Sequence, residues 1–81
     1  MIPTLIVDDS NAELDVLLYL IKKYELPLES AIAHDGEEAL TYLQSHSIDL
    51  LITDIRMPFM DGLILAKKAL EICQNEQNEI N

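Results

Sequence analysis

Residues Thr4-Leu5-Ile6-Val7 form a short apolar run that stops abruptly at Asp8-Asp9. A run with no polar alternation predicts a strand buried on both faces, as in a parallel sheet. Ser10-Asn11-Ala12-Glu13 then has the form of a capping box, with Ser10 as N-cap and Glu13 at N3. The helix it opens is expected to run to about Tyr24. Leu14, Leu17, Leu18 and Ile21 follow the 3-4 spacing of one buried face. Val16 and Leu20 widen that stripe, so more than one neighbour should cover it. Lys22 and Lys23 fall in the last turn, where cations complement the helix dipole.

Pro27 ends the helical pattern, and Ser30-Ala31-Ile32-Ala33 predicts a second short strand. Asp35 is placed to cap the next helix, with Glu38 reaching back from N3. Ala39, Leu40 and Leu43 give this helix an apolar face, and it should end near His46. Leu50-Leu51-Ile52-Thr53-Asp54 predicts a third strand of the first type. Met57-Pro58 stops regular structure, because proline drives the residue before it out of the α region. Asp61 is the expected N-cap of a third helix reaching about Cys73, and the polar stretch 74–81 is expected to be a loop or frayed end. The pattern is βα, βα, βα in one domain over 1–81. It implies an α/β fold with a parallel sheet and right-handed crossovers.

The chain has 81 residues, 49% of them hydrophobic, which suits one compact domain and is too short for two. The formal charge of −10 argues against direct binding of nucleic acid or an anionic membrane and suits a divalent cation or a basic partner. Cys73 is the sole cysteine, so no internal disulfide can form. The first basic residue is Lys22, which leaves no charged n-region of a signal peptide, and the longest apolar run, Val16 to Ile21, is too short to span a bilayer. The expected location is the cytoplasm.

In a parallel sheet Asp8, Asp9 and Asp54 all lie at carboxyl ends of strands. If the first and third strands are neighbours, the three converge where ligands of open α/β sheets bind. Three anions at close range repel, so the cluster needs a cation or a proton. Oxygen ligands without Cys or His nearby favour Mg²⁺. A carboxylate there can also act as a nucleophile toward phosphorus, with a metal offsetting charge on the phosphoryl oxygens. An aspartate after a strand often does no more than cap the next helix. Three together, followed by Met57-Pro58 and Asp61-Gly62, make that simpler account insufficient.

Leu5-Ile6-Val7-Asp8-Asp9-Ser10 and the stretch from Leu51 to Gly62, Leu-Ile-Thr-Asp-Ile-Arg-Met-Pro-Phe-Met-Asp-Gly, closely resemble the receiver domain of two-component response regulators. Asp35-Gly36-Glu37-Glu38-Ala39 matches the same family at its second βα junction. The resemblance implies a flavodoxin-like sheet with strand order 2-1-3. It implies Asp54 as phosphoacceptor, Asp9 as the direct Mg²⁺ ligand and Asp8 as the carboxylate acting mainly through water. Arg56 falls where the family uses a backbone carbonyl as a metal ligand. The implied phosphoryl donor is a histidine kinase or a histidine-containing phosphotransfer protein. The wording from Ile52 to Pro58 is similar to receivers joined to AraC-type output domains.

Receivers of this family carry five βα units, and this sequence supplies three. On that resemblance the chain is expected to be a truncated receiver, lacking the Ser or Thr that ends the fourth strand and the Lys that ends the fifth. None of Lys22, Lys23, Lys67 and Lys68 falls at a strand end to replace that lysine. The third strand would be an unprotected edge, so weakened phosphorylation, marginal stability and self-association through that strand are expected.

A rival reading is an interaction stub without phosphoryl chemistry, acting through the third strand or first helix. A Mg²⁺-dependent phosphohydrolase fits less well, since such enzymes place a second acid two residues after the nucleophile, and Asp8 is followed by Asp9-Ser10. No enzymatic turnover is expected. His34 and His46 are expected to be solvated. Cys73 should pack rather than react, and Lys67-Lys68 is too small a cluster to bind nucleic acid.

Overall fold

The computed structural model describes residues 1–54 and 61–80, with side chains in the last helix described as far as Ile72. The elements are β1 (Ile2–Val7), α1 (Asn11–Lys23), β2 (Leu28–Ala33), α2 (Gly36–Ser45), β3 (Leu50–Thr53) and α3 (Gly62–Ile80). Both strand pairings are parallel and the order is β2-β1-β3, as expected from the alternating pattern. The register runs from Ile2 opposite Leu28 to Val7 opposite Ala33, and from Thr4 opposite Leu50 to Val7 opposite Thr53.

β1 is central, which explains its unbroken apolar run: Leu5, Ile6 and Val7 are each at most 1% exposed. The chain steps from β1 to β2 on one side and then across β1 to β3 on the other. Right-handed crossovers therefore put α1 on one face of the sheet and α2 on the opposite face, where α3 packs beside α2. The main core agrees, because it joins Leu5, Val7, Ala33, Ala39, Leu43, Leu65 and Ala69 and contains no residue of α1.

α1 is much less covered than its stripe predicts. Leu14 is buried, Leu17, Leu18 and Ile21 are only half-buried, and Val16 is 59% exposed. The physical reason is the width of the stripe. One sheet face reaches one side of it, and among the described residues no second element covers the other side.

The helix ends follow local chemistry. Asp35 Oδ1 accepts from the Glu38 N–H at 2.7 Å, and Asp61 Oδ1 from the Ile64 N–H at 2.9 Å, so both aspartates are N-caps. Glu38 reaches back as expected, but its Oε2 takes the N–H of His34 at 3.1 Å, one residue before the cap. α1 closes in a Schellman arrangement: Leu26 N–H donates to Ile21 C=O at 3.0 Å and Glu25 N–H to Lys22 C=O at 3.2 Å. Glu25 takes φ 51° there, where glycine is usual, at a cost of about 1 kcal/mol.

Two expectations change. β2 begins at Leu28, because the Ile2 N–H donates to Pro27 C=O at 2.7 Å and extends the β1 ladder early. The polar stretch from residue 74, expected as a loop or frayed end, instead continues α3 to Ile80. It contains neither proline nor glycine, and its Gln and Glu residues are good helix formers, so nothing local stops the helix. Met57-Pro58 and Arg56 lie outside the described residues.

Candidate metal and phosphoacceptor site

The backbone ladder brings the strand-end acids together. Asp54 N–H donates to Val7 C=O at 3.0 Å, and Asp8 N–H to Ala33 C=O at 3.1 Å, so both residues continue the sheet by one bond past the strands. Asp8 and Asp54 are therefore held at the carboxyl edges of adjacent strands, and both are half-buried. Successive side chains of an extended segment point to opposite sides. Asp9, next after Asp8, is exposed and starts the bend toward α1.

The third acid close to Asp8 and Asp54 is Glu13. Carboxylate oxygens of Asp8, Glu13 and Asp54 all lie within 4.8 Å of one another. Asp9, a metal ligand by family resemblance, is not in that group of three, although its charge is felt at Glu13. Arg56 lies outside the described residues.

Glu13 reaches the site because the capping box is only half made. Ser10 Oγ accepts from the Glu13 N–H at 3.3 Å, as the pattern predicts. The Ser10 N–H, which the Glu13 side chain would normally take, donates instead to Asp8 Oδ1 at 2.9 Å. Side chains on a helix lean toward its N-terminus, so a Glu relieved of capping at N3 leans toward the strand ends. Glu13 shares a hydrogen bond with the Asp8 carboxylate. That bond, then the charge of Asp8, and to a lesser extent desolvation and the charges of Asp54 and Asp9, hold its carboxyl above the usual range.

The donor set fits a hard divalent cation. It is all oxygen, and no His or Cys belongs to it. Neighbouring octahedral ligands about 2.1 Å from Mg²⁺ lie about 3.0 Å apart, so oxygens up to 4.8 Å apart would have to draw in by as much as about 2 Å to share one ion, a shift within reach of side-chain rotation. The histidines stand elsewhere. His34 lies 3.4 Å from Glu38 on the surface, and His46 stacks on Tyr42 at 4.1 Å and bonds Ser45 Oγ.

Ion-free and Mg²⁺-loaded chain should differ in their pH response. The folded-state pKa of Glu13 is raised, so its favourable contribution is complete below the unfolded value and is lost as pH rises through the folded one. Exposure and salt keep the effect small. A divalent cation bound there would replace the proton, so any melting-temperature gain from Mg²⁺ should be largest near neutral pH and fall away toward about pH 4, where carboxylates protonate. Calorimetry showing equal gains at both pH values would contradict this.

Parallel order 2-1-3 with acids at the ends of β1 and β3 defines a receiver-type α/β module, and the chain belongs to the response regulator receiver domain family, whose profile matches residues 4–78. It is similar to the response regulator GtcR of Aneurinibacillus migulanus, 38% identical over 68 residues, covering 84% of this chain and 28% of that protein. A two-component transcriptional regulator AraC from Clostridium phytofermentans superposes with a TM-score of 0.80 at 34% identity, covering 89% of this chain and 59% of that one. The chemotaxis protein CheY4 of Vibrio cholerae does so with a TM-score of 0.80 at 30% identity, covering 94% and 62%. The chain thus spans under two thirds of each of these relatives. Among the described residues, no helix is long and apolar enough to cross a membrane.

Proposed function

We propose that the chain is a phosphoacceptor module of a two-component relay, with Asp54 as the nucleophile. The observation that carries this reading is the convergence of Asp54 and Asp8 across the β1–β3 ladder at the carboxyl edge of the sheet. A carboxylate oxygen of Asp54 attacks the phosphorus of a phosphohistidine. The P–N bond breaks, and the imidazole leaves with its electron pair and takes up a proton. The product is an acyl phosphate on Asp54. Asp8, Asp9, Asp54 and the backbone carbonyl of Arg56 form the ligand set that the family resemblance supplies. Bound Mg²⁺ would offset charge on the phosphoryl oxygens. The donor class is a histidine kinase or histidine phosphotransfer protein in the cytoplasm. The chain carries the acyl phosphate as a signal and does not turn over a substrate of its own.

The added charge would change the surface shown to an output partner. A second reading, an interaction module acting through β3 without phosphoryl chemistry, is favoured by the edge position of β3 and by Leu50, 37% exposed. Incubation with phosphoramidate should add one acid-labile phosphoryl group in Mg²⁺ and none in EDTA, read by intact-mass spectrometry. A folded chain that stays unmodified in both would favour the second reading. Steady hydrolysis of a phosphate ester would point to a phosphohydrolase.

A further inference from the structure

We infer that Glu13 supplies a further carboxylate to the divalent-cation centre, joining Asp8 and Asp54 from the first turn of α1. This inference rests on the phosphoacceptor reading of the same site and adds a residue to it. Three observations converge. A Glu13 oxygen lies within 4.8 Å of oxygens on both aspartates. Its expected task, closing the capping box on the Ser10 N–H, is taken over by Asp8 Oδ1. Its own N–H is held by Ser10 Oγ, so the backbone is fixed at N3, and the side chain turns to the cluster, where it meets the Asp8 carboxylate.

The contribution is positional as well as electrostatic. Asp8 and Asp54 ride on the sheet edge, whereas Glu13 rides on α1, so a cation held by all three ties the helix to the sheet. α1 buries only Leu14 and has no residue in the main core, so such a tie acts where the packing is thinnest. Mg²⁺ usually takes one or two protein carboxylates and keeps its waters, whereas Ca²⁺ accepts more oxygen ligands at longer distances. Losing Glu13 should therefore weaken Ca²⁺ binding at least as much as Mg²⁺ binding.

The test is isothermal titration of MgCl₂ and CaCl₂ into the full 81-residue chain and three variants, with circular dichroism to verify folding. Glu13→Gln removes the charge and keeps the shape. Glu13→Asp keeps the charge and draws the carboxylate back by one methylene. Glu71→Gln removes the same charge from an exposed position on α3. Both Glu13 variants should bind either ion roughly tenfold more weakly, the size of effect seen when a supporting metal contact is lost, and Glu71→Gln should bind as the parent does. Parent-like affinity in Glu13→Gln would overturn the inference and leave the phosphoacceptor reading standing, as would equal weakening in Glu13→Gln and Glu71→Gln, which would mean bulk charge alone. A parent chain that binds neither ion would remove the metal centre itself, and the inference with it.

Discussion

Asp54→Asn should reduce Mg²⁺-dependent labelling by phosphoramidate to background while leaving the fold intact. The backbone of residue 54 donates its N–H to Val7 C=O, and its C=O accepts from Thr53 Oγ1 at 3.0 Å; asparagine keeps both. Asn is nearly isosteric with Asp, so a half-buried site accepts it. What the substitution removes is the anionic oxygen that must form the bond to phosphorus; a neutral amide is far too weak a nucleophile. It also lowers the negative charge that Asp8 and Glu13 face, so the melting temperature without metal should hold or rise slightly. Intact-mass spectrometry and a thermal melt read both effects. Labelling that survives in Asp54→Asn would move the acceptor to another residue.

Leu65→Ala should cut the stability by a large fraction and lower the urea midpoint sharply, whereas Leu63→Ala, two positions away on the same helix, should be nearly silent. Leu65 is 0% exposed and packs in one cluster with Leu5, Val7, Ala33, Ala39, Leu43 and Ala69; Leu63 is 67% exposed. Truncating a buried leucine costs about 2–5 kcal/mol, because the transfer energy is lost and a cavity remains. A domain of this length has about 4–12 kcal/mol of stability in total. The core is also lean: among the described residues three of its seven members are alanines, which leave little side chain to move into a void. A surface change away from special features stays within about 0.5 kcal/mol. Urea melts followed by circular dichroism compare the two variants. Equal midpoints would mean that α3 does not seal the sheet as the structure shows.

Much of this is legible in the amino-acid order. Apolar runs ending in acids marked β1 and β3, because a strand buried on both faces carries no alternation. Ser10, Asp35 and Asp61 marked the helix starts, because capping is local hydrogen-bond chemistry that spans only three residues. Two kinds of feature were not legible. The extension of α3 to Ile80 lay in a polar stretch with no stripe, where propensity alone sustains the helix. Glu13 was hidden by a better-known role: at N3 after Ser10 it matches a capping box, and only the diversion of the Ser10 N–H to Asp8 releases it.

The amino-acid order by itself determined the three βα units, their parallel sense and the acids at the strand ends, since each follows from periodicity or capping within a few residues. The tertiary structure decided which acids meet. Asp8 and Asp54 are brought together by a ladder bond between strands far apart in sequence, Asp9 is exposed at the bend after β1, and Glu13, also exposed, reaches to within 4.8 Å of both from the first turn of the neighbouring helix. Distances between side chains on different elements depend on register and on competition for individual N–H groups, and neither is written in local pattern.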